Sequence, residues 1–369
     1  MKKITYIYQA GRENRMNDME NSAREFFYGY FHMKKNNTDT TYLEFDIQSK
    51  SSFSNFFNTF MRKLTGLPFF SNLVINLKNK KILRNSEKII ATNQRVGFSI
   101  LAFLLLNYRK KIKSYVFIMG LFNNNPKNAI KKFLRNFFIK IFMKTFDHMI
   151  FLSSGEFKFV NKNYPKHKNK IHFLPFSVDQ EFWSEKENDY LKKDGTILFI
   201  GNDGKRDYKF VIELAKEMPT LNFVFITKKI GSNELKSQNI NLLSGKWDDL
   251  NITDSDIKNY YSKASLCIIP IHDSLQPSGQ SVALQSMSMG TPVLITKTEG
   301  FWEPSLFNNN EEIVFIEKNE INLWKEKIYN LIEDKNTRKK ISQNGKELIS
   351  VNNNLETFNK KLKNIIDLS

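Results

Sequence analysis

A single cysteine, Cys267, is all the thiol that the 369-residue chain carries, and it stands inside the apolar run from Ala264 to Ile271. One thiol excludes a disulfide framework and a thiolate metal site within the chain, and it fits a reducing compartment such as the cytosol. Long hydrophobic runs are lacking as well. The longest, Val96 to Leu106, is well short of the roughly 18 to 20 apolar residues that span a bilayer, so the sequence predicts no transmembrane helix. The opening Met1-Lys2-Lys3 and Ile4 to Tyr8 end at Gly11-Arg12 without a small-residue cleavage site. That stretch reads as a first β-strand and not as a secretory leader.

Acidic residues are scarce in the first half only. Residues 1–180 hold 31 Lys and Arg against 11 Asp and Glu, a balance of +20, and the rest of the chain stands at −2 within the overall +18. A coding preference for lysine would not spare one half. The split therefore gives the halves different partners, with the first facing something anionic: a lipid surface, a phosphate-bearing acceptor or nucleic acid.

With 41% apolar and 25% charged residues the composition is that of a globular protein, and the length suits two domains. Short β-rich runs alternate with helical patterns, the signature of βαβ units and parallel sheets. Strands are expected at Ile4–Tyr8, Thr41–Phe45, Lys88–Ala91, Ser114–Met119 and His148–Leu152, then at Thr196–Ile200, Asn222–Thr227, Ile240–Leu243, Leu266–Ile271 and Pro292–Thr296. The polar segment Val178–Asp194 reads as a linker. These boundaries give domains at 1–178 and 179–351, with a C-terminal helix over 352–369 that can return to the first domain. In open α/β sheets the ligand crevice lies beyond the carboxyl ends of the strands, so the turns there should collect binding groups.

The most informative turn runs from Gln276 through Pro277-Ser278-Gly279-Gln280-Ser281 into a helix carrying Gln285, and leaves at Gly290-Thr291-Pro292-Val293. It aims the backbone N–H groups of Gly279, Gln280 and Ser281 from a helix N-terminus, where an anion is favoured. An ordinary strand-turn-helix with Ser278 as N-cap has the same pattern. A second turn, Gly201-Asn202-Asp203-Gly204-Lys205-Arg206-Asp207, sets two cations where a helix begins, though a solvated basic turn would look alike.

Together with Val178-Asp179 and the C-terminal helices, these segments resemble the donor half of GT-B glycosyltransferases, especially the retaining family 4 (group 1). The resemblance implies two Rossmann-like domains facing a central cleft, and a transferase that uses a nucleotide sugar. It assigns the donor diphosphate and sugar to Gly11, Lys205, Arg206, Ser278, Gly279, Gln280 and Ser281, with Arg206 holding phosphate bidentately. It assigns the nucleoside to Lys246, Trp247 and Gln285. One departure stands out: the family's two glutamates, eight positions apart, are replaced by Pro277 and Gln285. A carboxamide still offers hydrogen bonds to a ribose hydroxyl. No histidine follows the strand Ser114–Met119, where Gly120-Leu121-Phe122 stands, and His148 and His172 fall at strand starts, so no catalytic base is assigned. Enzymes of this fold stabilise the departing diphosphate with side chains and helix dipoles, so neither a metal nor another cofactor is expected. Asp254-Ser255-Asp256 reads as a helix N-cap region and not as a metal motif.

Two further stretches, Phe53–Phe70 and Lys127–Phe146, interleave aromatics with Lys and Arg. That is the recipe for an interfacial helix on anionic lipid, and equally that of a helix burying an apolar face in a core. The expected activity is hexosyl transfer from a UDP- or GDP-sugar to a glycan or lipid-linked acceptor in bacterial cell-surface polysaccharide biosynthesis. The expected location is cytoplasmic, peripheral on the inner face of the membrane if the basic stretches meet lipid and not core. A nucleotide-sugar epimerase or phosphorylase on the same fold leaves the basic half unexplained. A basic nucleic-acid-binding protein would leave the Gly279 turn idle and has no recognition motif, so no nucleic-acid partner is expected.

Overall fold

The computed structural model describes residues 3–36, 39–46, 52–123, 126–184, 195–235, 237–244 and 252–368. The chain divides into two compact units. The first comprises Met1–Glu13, Phe27–Leu174 and Asn359–Ser369; the second comprises Asn14–Phe26 and Pro175–Phe358.

The first unit runs β1 (Lys3–Tyr8), α1 (Arg12–Asn17, whose later residues count with the second unit), α2 (Tyr30–Lys35), β2 (Asp39–Glu44), α3 (Ser52–Thr65), α4 (Leu77–Arg84) and β3 (Lys88–Ala91). It continues with α5 (Gln94–Leu106), β4 (Lys113–Ile118), α6 (Ala129–Thr145), β5 (His148–Phe151), α7 (Ser154–Asn163) and β6 (Ile171–Phe173). Its six strands lie in the order β2-β1-β3-β4-β5-β6, all in parallel register. Strands such as Ile89-Ile90-Ala91 and Tyr115-Val116-Phe117 are fully buried because helices cover both faces of a parallel sheet. The carbonyl of Ile366 accepts from the buried Lys88 Nζ and from Tyr115 Oη, the latter at 3.0 Å, which fixes the C-terminal residues within this unit.

The second unit contains β7 (Ile197–Ile200), α8 (Tyr208–Lys216), β8 (Phe223–Ile226), β9 (Ile240–Leu243), α9 (Asp254–Lys263) and β10 (Leu266–Ile269). After these come α10 (Gln280–Ser288), β11 (Val293–Thr296), β12 (Val314–Ile316), α11 (Ile321–Glu333) and α12 (Lys335–Asn352), and the chain closes with α13 (Leu355–Asp367), whose residues from Asn359 on count with the first unit. The sheet order is β12-β11-β10-β7-β8-β9, again parallel throughout. The fold is thus α/β with two Rossmann-like sheets. All ten expected strands are present to within one or two residues; β6 and β12, three residues each, lie at sheet edges.

The short segment Asn14–Phe26 is tied into the second unit by charge. Arg15 donates to both carboxylate oxygens of Asp254 at 2.6 and 2.8 Å, with both side chains essentially inaccessible. The Ala23 amide adds a third bond to that carboxylate at 2.8 Å. Two charges out of water persist only with such full pairing. Asp254 sits in the first turn of α9, whose cap is a reciprocal box between Thr253 and Asp256.

Candidate functional site at the switch point of the second sheet

In the second sheet the connections leaving β7 and β10 diverge, because β8 and β9 build outward on one side and β11 and β12 on the other. Between two such strands the loops part and leave a crevice at their carboxyl ends. Register pairs Leu266 with Ile197 and Cys267 with Leu198, so the loops after these strands emerge side by side. They are sewn together: the Asp207 amide donates to Pro270 O at 3.0 Å, and the His272 amide to Lys205 O at 2.8 Å.

This seam positions Arg206. Asp203 Oδ1 accepts from the amides of Lys205 (2.7 Å) and Arg206 (3.1 Å), closing the turn. Its Oδ2 accepts from the Arg206 guanidinium at 2.8 Å, and Arg206 Nε donates to Ile200 O at 3.3 Å. The guanidinium side chain is only 3% exposed. Two of the five donors that a guanidinium offers are used in these bonds. Gly201 makes the approach feasible, since a Cβ there would lie 2.6 Å from Arg206 Nε. Lys205 is half-buried at the same turn.

From the other side comes α10. Its N-cap, Gly279, is left-handed at φ +84° and supplies no side-chain cap. A Cβ on Gly279 would sit 2.7 Å from Ile269 Cγ2 and 3.7 Å from an Arg206 guanidinium nitrogen. The helix N-terminus and the guanidinium are therefore neighbours. Ser278 and Gln280 are each 5% exposed, and Ser281 is half-buried. Ser278 Oγ is buried without a hydrogen-bond partner among the described residues, so it does not cap the helix. An unpartnered hydroxyl, a helix N-terminus and a guanidinium converge here, which is a donor set for an oxyanion. Beside it, Asp207, His272, Thr296, Lys297 and Asn319 help line a cavity of about 640 Å³ at the ends of β10 to β12.

Gln285 lies deeper. Its side chain is 1% exposed, with Nε2 donating to Glu25 at 2.9 Å and Oε1 accepting from Tyr261 Oη at 3.3 Å. Glu25 also accepts from Trp183 Nε1 at 2.7 Å. Burial, with the Asp254 charge nearby, pushes the Glu25 carboxyl up to about 7. The expected ribose contact thus has both ends of its carboxamide engaged inside the unit, and Gln285 serves here to anchor α10 to Glu25. Cys267, under α10, has its thiol pushed up to about 12 by burial and is no nucleophile. Lys246 and Trp247 lie outside the described residues.

Gly11 belongs to the first unit, where its turn is already filled. Glu44, at the end of β2, accepts from the Gly11 amide, from Arg12 at 3.3 Å and from Glu13 at 2.7 Å. The turn after β4 repeats the device: buried Glu156 accepts from the amides of Gly120 (2.7 Å) and Phe122 (2.9 Å). Internal carboxylates hold the places that an anion would take in these two turns.

Residues 179–348 match the family model described as Glycosyl transferases group 1. No curated protein sequence matches the chain. Among solved structures, that of Anabaena Alr3699/HepE in complex with UDP-glucose is similar with a TM-score of 0.71 and 12% identity, covering 100% of both chains. Sucrose-phosphate synthase from Thermosynechococcus elongatus gives 0.72 and 12% over 100% of this chain and 99% of that one. A glycosyltransferase from Rickettsia africae gives 0.66 and 15% with the same coverage. At such identities the likeness speaks for the fold, and the chain shares the GT-B architecture.

Proposed function

We propose, from the match of residues 179–348 to the group 1 glycosyl transferases model, that the chain is a glycosyltransferase that moves a hexose from a UDP- or GDP-sugar to a glycan or lipid-linked acceptor. The observation that carries this reading is the Arg206 guanidinium held beside the glycine N-cap of α10. A nucleoside diphosphate brings its charge to that point; Arg206 and Lys205 counter it, and the first-turn amides of α10 complete the hold. As the bond between the sugar C1 and the diphosphate oxygen breaks, charge grows on the oxygen that these donors face, so they bind the transition state more strongly than the ground state. The acceptor oxygen bonds to C1, and its proton passes to the departing diphosphate. Such a step needs no protein base and retains the anomeric configuration. Ser278 Oγ is placed for a sugar hydroxyl or a phosphate oxygen, and Lys246 and Trp247 are assigned the nucleobase.

Solved relatives of the same fold were captured with UDP-glucose or with UDP and glucose, which favours a UDP-sugar here. Assembly of bacterial cell-surface polysaccharide is the setting that suits a basic first half facing an anionic acceptor. Thermal unfolding with a panel of UDP, GDP and their sugars tests the proposal. A rise in midpoint with one nucleoside diphosphate family, and release of that diphosphate from its sugar, is expected. No stabilisation by any member removes the basis of the reading.

A further inference from the structure

We propose that the face formed by α3 and α6 of the first unit docks on an anionic bilayer surface. The two helices pack against each other. Where α3 ends, Gly66 O accepts from the Arg135 guanidinium of α6 at 3.1 Å. Their inner sides account for the core: Ile139, Phe142 and Met143 of α6 and Met61 of α3 are buried. Their outer sides are apolar too. On α3, Phe56 is 73% exposed, with Phe57 and Phe60 at 54% and 53%; on α6, Ile130, Phe133 and Phe137 are 69%, 68% and 50% exposed. The spacings, 56 to 60 and 130-133-137, put each set on one helical stripe. A core explains none of these side chains.

The surroundings are uniformly basic. Exposed Lys63, Lys127, Lys132, Lys140 and Lys144 flank the stripes. Between Asp46 and Asp147 the sequence holds 19 lysines and arginines and a single acidic residue, Glu87. Exposed aromatics among cations, on two helices that carry no Asp or Glu, match a lipid interface, where rings enter the acyl boundary and amines meet headgroup phosphates. A second copy of this chain fits poorly, because a two-fold contact would bring the same lysines face to face. No described helix is long and apolar enough to cross a membrane, so docking is peripheral. This surface is independent of the donor site, and its loss should leave nucleotide binding intact.

The test is flotation of the full chain with vesicles of phosphatidylcholine alone or mixed with phosphatidylglycerol. Binding is expected only to the mixed vesicles and should fall with added salt. The triple variant Phe56→Ser, Phe133→Ser, Phe137→Ser removes exposed rings, so it should fold, keep its thermal response to nucleoside diphosphates, and lose roughly tenfold or more of vesicle binding. Lys132→Glu with Lys140→Glu should lose a similar factor. Equal binding to neutral and anionic vesicles, none to either, or an unaltered triple variant overturns the proposal. So does a wild-type dimer that the triple variant dissolves, since the face would then pair copies of the chain.

Discussion

Replacing Gln285 by Glu restores the carboxylate typical of the family's motif, yet the structure predicts that the change destabilises this protein. The Gln285 Nε2 bond to Glu25 spans 2.9 Å in a site where both residues are nearly inaccessible. Removing a hydrogen bond to a charged acceptor costs about 1.5–3 kcal/mol. Two ionised carboxylates at that distance would repel by about 6 kcal/mol even at an effective dielectric constant near 20. The pair avoids this by keeping one proton, at about 1.4 kcal/mol for each pH unit above the carboxyl's own value. With Glu25 already raised to about 7, the net loss is roughly 2–4 kcal/mol at pH 8 and under about 1 kcal/mol at pH 5. For a unit of this size that is a fall of roughly 5–15 °C in midpoint at pH 8. Thermal unfolding followed by circular dichroism at both pH values measures it. A variant as stable as the parent at pH 8 would refute the buried Glu25 contact, and equal losses at both pH values would mean that packing, not charge, is at stake.

Three further outcomes follow from the same geometry. Glu25 and Glu156 are each raised from 4.5 to about 7, chiefly by burial. Both bind their protons more tightly folded than unfolded, so their contribution is fully present below pH 4.5 and is lost as pH rises through about 7. Midpoints recorded between pH 5 and 8 should therefore fall with pH, and Glu156→Gln should flatten that slope; an unchanged slope speaks against the assignment. Gly279→Ala should cost about 1–3 kcal/mol for a left-handed alanine alone, with Ile269 Cγ2 2.7 Å from its Cβ adding to the loss. Gly204→Ala, with nothing within 4 Å, should melt like the parent, and denaturant unfolding of the two variants separates these outcomes.

Much of the scaffold was legible because its strands are short apolar runs bounded by polar or glycine turns. Ile89-Ile90, Phe223 to Ile226 and Leu266 to Ile269 can hardly be anything else in an alternating βα pattern. The edge strands β6 and β12, three residues each, are too short to carry a period. Membership of Asn14–Phe26 in the second unit was not legible either, since Arg15 finds its partner 239 residues away in Asp254. At the site, glycines and cations after β7 pointed to Arg206. That Asp203 clamps it, and that Gly201 and Gly279 give it room, depends on atoms only the folded chain brings together. The Gly11 turn shows the converse. Its sequence looks receptive to an anion, but Glu44, 33 residues on, returns beside it on the neighbouring strand and fills the place.

The central claim is that Arg206, beside the N-terminus of α10, receives a nucleoside diphosphate. Calorimetric titration of UDP and GDP into the parent, Arg206→Ala and Arg206→Lys tests it most directly. The parent should bind one of the two, and Arg206→Ala should weaken it by about 1–3 kcal/mol, roughly 5- to 150-fold, with Arg206→Lys in between because it keeps the charge and loses the fork. A parent that binds neither nucleotide, or an Arg206→Ala protein that folds and binds as tightly as the parent, would contradict the account.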